Sequence, residues 1–321
     1  METPLLDVRN LRIEFTLSRG ILTAVDDVSF QVRQKEALGI VGETGCGKSV
    51  MALSILGLVP SPPGKVRGSI FFNGQDLVGM SETQLCAVRG RHVGMIFQEP
   101  LTSLNPSLTI GEQVSECYRA HLSEPKRRAW QRAEHILNDV RVPSPKTLMR
   151  MYPHELSGGM RQRVMIAIAL ACQPKLLIAD EPTTALDVTI QAQIIDLLEE
   201  LREKLSLAMI FISHNLTVVA RLCDRIAVMY AGSLVELADA PSVVSHQLHP
   251  YTSGLFAALP RPELREGFLT TIPGSVCDLV HPPRGCKFHP RCFKRQEVCE
   301  KSRPALEHKT QGREVACFFP E

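Results

Sequence analysis

One short glycine-rich stretch constrains this chain more than any other part of its sequence. An apolar run at 37–41, typical of a buried strand, precedes it, and 50–56 has the pattern of a helix start. Between a strand and a helix, the spacing G-x-x-x-x-G-K-S is typical of a loop whose backbone N–H groups surround phosphate oxygens. The alternative is a glycine-rich turn that ends in Lys-Ser by chance. It is disfavoured because the residues before the stretch have strand character and those after it have helix character. The stretch reads Gly42-Glu43-Thr44-Gly45-Cys46-Gly47-Lys48-Ser49.

This spacing predicts a nucleoside triphosphate site. Lys48 would supply a positive charge for the outer phosphates, and the Ser49 hydroxyl would bind the Mg²⁺ that accompanies ATP. Bulk composition agrees with an ordinary globular protein, because 44% of the 321 residues are hydrophobic and the net charge is only +2. We therefore expect no nucleic-acid partner. No apolar stretch approaches the roughly 18 residues of a membrane span, and we expect no signal peptide.

The hydrophobic pattern predicts an α/β fold around this loop. Apolar and polar residues alternate over 5–32, as in half-buried antiparallel strands. Phe15 lies on one of these strands, where it would either stack on an adenine ring or serve as a core aromatic of the sheet. The region 99–157 has helical segments without strand signals, which predicts an inserted helical subdomain. A final pair of strands, at 225–230 and 233–236, is expected to close the sheet.

Polar side chains follow several of the predicted buried strands. Ligands of α/β sheets bind at the carboxyl ends of the strands, and Gln98, Asp180, Glu181 and His214 all follow strand patterns there. We predict that Asp180 contacts Mg²⁺ and that Glu181 polarises the attacking water. Gln98 would reach the metal or that water. His214 alone would be weak evidence for a site, but its position at the same predicted edge favours a role.

A second anion-binding helix start is predicted at 157–163. Ser157 is a good N-cap, and the N–H groups of Gly158 and Gly159 would be exposed at the first turn. Two helix N-termini that are suited to bind phosphate are unusual in one chain.

With these residues assembled, the chain strongly resembles the ATP-binding subunits of ABC transporters over about residues 5–240. Many motifs in the same order make the resemblance specific. They are the Walker A loop at 42–49, the Q-loop at Gln98, the signature motif at 156–160, Walker B at 176–180, the catalytic base at Glu181, the D-loop at Ala185-Leu186-Asp187 and the switch histidine at His214.

The resemblance implies an ABC ATPase core at 1–240 with its helical subdomain at about 99–157, followed by a small irregular extension at 241–321. It also implies a head-to-tail pair of cassettes. ATP would lie between the Walker A loop of one subunit and the signature helix of the other, with Asp187 in the same interface and His214 at the γ-phosphate. One departure from the family pattern is Met160, because the family usually has glutamine at this signature position. Methionine cannot form the hydrogen bonds of glutamine, and this difference bears on ATP hydrolysis at the site to which this signature helix contributes.

Within the family, the chain most resembles the dipeptide and oligopeptide importers. The stretches at 97–106 and 249–252 and the long cysteine-bearing tail carry this likeness. It implies a second, different ATPase subunit, two permeases and an extracytoplasmic peptide-binding protein, with this chain at the cytoplasmic face of the bacterial inner membrane. Nickel or glutathione is the alternative cargo. A soluble ABC ATPase acting on ribosomes or DNA is disfavoured, because the chain shows no repeats or heptads.

The last part of the chain carries a cluster of cysteines. Three interpretations compete: a [4Fe-4S] cluster, a zinc site and free thiols, while disulfides are disfavoured in a reducing cytoplasm. Zinc sites usually contain a close C-x-x-C pair, which is missing here. The spacing resembles the tail of dipeptide importer subunits that carry a [4Fe-4S] cluster, which favours iron–sulfur, with a structural or redox-sensing role. The predicted ligands are Cys286, Cys292, Cys299 and Cys317, and Cys277 is the spare.

Overall fold

The computed structural model describes residues 3–184, 186–259, 271–310 and 312–321. Its strands are β1 (Leu6–Leu17), β2 (Gly20–Val32), β3 (Ala37–Val41), β4 (Gly64–Phe72), β5 (Gln75–Asp76), β6 (Val93–Ile96), β7 (Leu176–Asp180), β8 (Ala208–Ile212), β9 (Arg225–Tyr230), β10 (Ser233–Asp239), β11 (Glu307–Thr310) and β12 (Arg313–Val315).

The helices begin with α1, which follows the glycine-rich loop, and end with α12 in the cysteine-bearing tail. They are α1 (Lys48–Ile55), α2 (Glu82–Val88), α3 (Pro100–Ser103), α4 (Ile110–Leu122), α5 (Lys126–Asp139), α6 (Pro145–Leu148), α7 (Gly158–Leu170), α8 (Val188–Leu205), α9 (Leu216–Leu222), α10 (Ala240–Ser245), α11 (Pro250–Ala257) and α12 (Glu297–Lys301). Short 3₁₀ turns occur at Pro153–Glu155 and His289–Arg291.

The described residues fall into two compact units. The first contains a four-stranded sheet in the order β2-β1-β4-β5, whose strand pairs are antiparallel. Alternation along β1 buries Leu11 and Ile13 and leaves Thr16 exposed, which explains why the antiparallel prediction for this segment is confirmed.

The first unit also contains β3, which pairs in parallel with β9, and β9 pairs antiparallel with β10. Every residue of β3 is buried, including Leu38 and Ile40. The glycine-rich loop therefore begins at the end of a strand that is packed in the core. The prediction that β10 closes the sheet is wrong. The tail strand β12 pairs with β10, placing Val315 opposite Glu236, and β11 pairs with β12.

The second unit contains the parallel strands β6, β7 and β8, in that spatial order, with the longest helices α4, α5, α7 and α8. Every residue of β7 and β8 is buried, as expected of parallel strands. In the described chain between β6 and α7 there are helices and no strand, which confirms the helical character predicted for this region. The division of the chain at residue 240 stays a prediction.

Candidate functional site

The glycine-rich loop runs from the end of β3 into α1 in a conformation that depends on glycine. Gly42 and Gly47 have φ angles of 152° and 102°. A Cβ atom on either would lie 2.2 Å from a backbone carbonyl oxygen, that of Met229 for Gly42 and that of Ala24 for Gly47. These positions therefore combine a positive φ with a close backbone approach, which other residues do not tolerate. Thr44 and Gly45, in the middle of the loop, are exposed.

Lys48 is the first residue of α1 and is buried, with 5% of its surface exposed. Its Nζ donates hydrogen bonds to the carbonyl oxygens of Gly42, at 2.8 Å, and Glu43, at 3.0 Å. Burial raises the pKa of the Cys46 thiol beside it, although the Lys48 charge opposes that shift. The half-buried Ser49 follows on the first turn of the helix. The loop thus holds an ammonium group and a hydroxyl at a helix start, as an anion site requires.

Two other predicted nucleotide contacts belong to the same unit. Phe15 lies on β1 opposite Leu22 and is half-buried, with its ring against Gly64. His214 is exposed and follows the end of β8 by two residues, directly before Asn215, the N-cap of α9. Their contacts with nucleotide stay predictions.

In the second unit, the structure brings Gln98 and Glu181 together. Asp180 ends β7 and is 4% exposed, whereas Glu181 leaves the strand with a φ of 46°. Gln98 Nε2 donates to Glu181 Oε2 at 3.3 Å, and Thr184 Oγ1 donates to the same oxygen at 2.9 Å. The Glu181 carboxylate is thereby oriented by an amide and a hydroxyl. Sequence reasoning missed Thr184, although its position three residues after Glu181 was a usable signal.

The signature segment forms the N-terminus of α7, as predicted. Ser157 is the N-cap, and its hydroxyl accepts the Met160 N–H at 3.4 Å. The half-buried Gly159 lies against α8, since a Cβ atom there would be 2.9 Å from Ile190. Asp187 is exposed and caps α8, accepting the Ile190 N–H at 2.9 Å. Gly158 is half-buried in the first turn of α7. The D-loop residue Ala185 lies outside the described residues.

The predicted cysteine ligands converge in the tail. All four line one small, mainly apolar cavity, which Cys277 does not line. Burial and the neighbouring thiols raise the pKa of Cys286 to about 11. All ten cysteines of the chain carry free thiols. Among the residues that the structure describes, no group of three or more His, Cys, Asp or Glu side chains is arranged to hold a single metal ion. The cavity is also lined by His249, Phe288, His289, Lys294, Phe318 and Phe319.

Ion pairs attach the tail to the sheets. Lys287 and Arg303 both contact Asp26 Oδ2, at 2.9 and 2.7 Å. Although burial raises the pKa of a carboxyl, the hydrogen bond and charge of Lys287 and the charge of Arg303 hold the pKa of Asp26 below its ordinary value. A cavity of about 450 Å³ lies beside these pairs.

Comparisons with known proteins identify the family. The ABC transporter profile matches residues 25–184, and the profile of the oligopeptide/dipeptide transporter C-terminal region matches residues 235–299. The oligopeptide transport ATP-binding protein OppD of Escherichia coli is 48% identical, covering 98% of this chain and 93% of the relative. AppD of Bacillus subtilis, also an oligopeptide transport ATP-binding protein, is 48% identical, covering 99% of this chain and 97% of the relative.

The chain belongs to the ABC transporter family. Its group is that of the oligopeptide and dipeptide transport ATP-binding proteins, since the dipeptide transport protein DppD of Escherichia coli is 46% identical over 98% of this chain and 97% of the relative. The chain is therefore an ABC-type ATPase, which hydrolyses ATP to ADP and phosphate to power transport. Within the described residues, no helix combines the length and apolar character that a membrane crossing requires.

Solved structures show the same ABC ATPase fold. The ATP-binding cassette MJ0796, in a dimeric post-hydrolysis state bound to ADP and Pi, matches with a TM-score of 0.65 and 26% identity, covering 73% of this chain and 98% of MJ0796. The protein cbiO1 of Clostridium perfringens, part of the ABC transporter complex cbiONQ, matches with a TM-score of 0.63 and 27% identity, covering 76% and 92%. The α/β P-loop fold predicted for this chain is confirmed.

His249, at the start of α11, is a buried, neutral histidine in this ATPase. Its Nδ1 accepts the backbone N–H of Tyr251 at 3.0 Å, and the backbone N–H of His249 donates to Glu236 Oε2 at 2.9 Å. Burial lowers its pKa to about 3. As the pH falls below about 6.5, the unfolded chain takes up a proton at this position that the folded chain does not. Folding stability is therefore lost with acidification.

We predict that His249→Asn will flatten this pH dependence, because asparagine keeps an N-cap acceptor and does not titrate. Between pH 7 and pH 5, the wild-type chain should lose about 2 kcal/mol more free energy of unfolding than the variant. Urea denaturation at both pH values measures this difference. Equal losses in the two proteins would show that His249 is protonated in the folded state as easily as in the unfolded one.

Proposed function

We propose that this ABC ATPase powers import of dipeptides or oligopeptides. The observation that carries the proposal is the extent of the likeness to peptide transport proteins. It covers 98% of the chain at 48% identity to OppD, so it includes the tail as well as the ATPase core. The separate match of residues 235–299 to the oligopeptide/dipeptide C-terminal region supports the same cargo class.

The proposed assembly contains a second, different ATPase subunit, two permeases and an extracytoplasmic peptide-binding protein, with this chain at the cytoplasmic face of the inner membrane. A paired arrangement is supported by the dimeric state of MJ0796. A paired arrangement would also explain the second anion-binding helix start, at α7, where Ser157 is the N-cap and two half-buried glycines form the first turn. That helix start would bind the phosphates of the nucleotide held by the second subunit.

The residues of the glycine-rich loop and the strand ends take the following proposed roles. Lys48 and the loop amides would bind the β- and γ-phosphates, and Ser49, Asp180 and Gln98 would hold Mg²⁺, whose charge would offset that of the phosphates. Glu181, oriented by Gln98 and Thr184, accepts a proton from water as the water oxygen bonds to the γ-phosphorus and the bond to the ADP oxygen breaks. The remaining contacts are Phe15 at adenine and His214 at the γ-phosphate.

We predict that Glu181→Gln will lower the rate of ATP hydrolysis by roughly two to four orders of magnitude while ATP binding is kept. The amide has the shape of the carboxylate but cannot take a proton from water. Phosphate release and nucleotide affinity should be measured in the assembled transporter. Glu116→Gln, at an exposed position of α4, is the matched control and should hydrolyse ATP at the wild-type rate. Undiminished turnover in Glu181→Gln would remove Glu181 from the proposed role.

We predict that deletion of the gene for this chain in its host will abolish uptake of labelled dipeptides or oligopeptides. The wild-type chain should restore uptake, Lys48→Ala should not, and Lys301→Ala should, because Lys301 is exposed and pairs with Glu297 of its own helix. Uptake of nickel or glutathione that depends on the chain, with peptide uptake unchanged, would contradict the peptide proposal. Co-purification with ribosomes or DNA in place of permeases would contradict transport altogether.

We also propose that the cysteine cavity binds a [4Fe-4S] cluster. Four thiols line one small apolar cavity, and Lys294, which also lines it and pairs with Glu321, would partly offset the negative charge of a cluster. Four thiolates around one zinc ion must approach each other to about 3.8 Å, given Zn–S bonds of about 2.3 Å. In a cube of four irons each iron binds one thiolate, so the thiolates lie farther apart, and the four cysteines that line the cavity match this number of ligands. Binding would release protons from thiols such as Cys286.

Protein purified without oxygen is expected to contain about four irons and four sulfides per chain and to absorb visible light. Cys292→Ser should lose the iron, whereas Cys277→Ser should retain it, because Cys277 lies outside the cavity. Circular dichroism should be recorded to check that each variant is folded. Colourless wild-type protein with stoichiometric zinc would establish the alternative metal, and protein free of both metals would leave the cysteines as thiols.

A further inference from the structure

Glu43, the second residue of the phosphate-binding loop, has each of its polar groups fixed by a different partner. Its N–H donates to the Tyr251 hydroxyl at 2.9 Å, and its carbonyl oxygen accepts Lys48 Nζ at 3.0 Å. Its carboxylate accepts two hydrogen bonds from Arg291, Nη1 to Oε2 at 2.7 Å and Nη2 to Oε1 at 3.1 Å. Two of these three partners come from sequence far beyond the ATPase motifs, at separations of 208 and 248 residues.

Arg291 is held rigidly for this contact. Its side chain is only 5% exposed, and its Nε donates to the Pro273 carbonyl oxygen at 2.9 Å. Two parallel N–H···O bonds between a guanidinium and a carboxylate are both strong and directional. A guanidinium group keeps its positive charge at every physiological pH. Glu43 therefore has a fixed counterion within the protein.

Tyr251 is equally constrained. It is fully buried, and its ring packs on Tyr230 and Phe288 with centroid distances of 4.7 and 5.4 Å. A buried ring in such a cluster cannot carry its hydroxyl elsewhere without breaking the packing. The hydroxyl consequently fixes the Glu43 peptide at the turn between β3 and the glycines that follow.

We propose that Arg291 and Tyr251 are positioning residues for ATP binding, which act by fixing Glu43 and, through it, the backbone of the phosphate-binding loop. This inference rests on the proposed function of the loop, which is to bind ATP. A loop that is ordered before ATP arrives loses less conformational freedom on binding, which raises its affinity. The C-terminal tail is then part of the nucleotide site, although neither residue touches nucleotide.

The test uses the full-length chain and the affinity of a fluorescent ATP analogue. Arg291→Ala should weaken that affinity by about tenfold, equivalent to about 1.4 kcal/mol. Tyr251→Phe keeps the packed ring and removes only the hydroxyl, so it tests the second contact without loss of fold, and it should weaken the affinity by about threefold or more. Arg303→Ala is the matched control, because it removes a tail arginine that pairs with Asp26 instead of Glu43.

Glu43→Gln distinguishes positioning from a general weakening of the protein. If Arg291 acts through Glu43, the double variant Glu43→Gln/Arg291→Ala should bind the analogue no more weakly than Arg291→Ala alone. Additive losses would overturn the proposal. So would unchanged or tighter binding in both Arg291→Ala and Tyr251→Phe, or an equal loss in Arg303→Ala. Absence of binding to the wild-type chain would contradict the ATP site itself, which is a separate result.

Discussion

The structure depends on a loop whose backbone is pressed against neighbouring strands. Gly42 and Gly47 lie so close to the carbonyl oxygens of Met229 and Ala24 that a side chain at either glycine would overlap them. The contact with β9 therefore shapes one end of the phosphate-binding loop and the contact with β2 shapes the other. Because the loop is held from both sides, its amides and Lys48 form an anion site before any nucleotide binds.

The tail is fastened to this loop as well as to the sheets. Within one short segment, Lys287 pairs with Asp26 and Arg291 pairs with Glu43, while Phe288 packs on Tyr251. The same segment contributes thiols to the cysteine cavity. Those thiols therefore lie near Arg291 and Tyr251, which contact the phosphate-binding loop.

Local patterns in the sequence predicted the phosphate-binding loop, an α/β fold around it, and the strands and helices next to Gln98, Glu181 and Ser157, whereas the ABC ATPase fold was implied by the resemblance to that family. Period-two alternation and the G-x-x-x-x-G-K-S spacing involve neighbouring residues, so they are readable without a structure. The tail strands β11 and β12 are too short to show alternation, and the expectation that β10 closes the sheet was wrong for that reason. Contacts of Glu43 with the tail join residues more than 200 positions apart, and no local pattern encodes them.

An experimental structure of the full-length chain with Mg²⁺ and a non-hydrolysable ATP analogue tests the central claim most directly. The account predicts that the triphosphate lies in the loop at 42–49. Lys48 Nζ should then leave the Gly42 and Glu43 carbonyl oxygens for the outer phosphates, and Ser49 should contact the metal, while Arg291 and Tyr251 keep their bonds to Glu43. A nucleotide bound elsewhere, with Lys48 still on those carbonyl oxygens, would contradict the account.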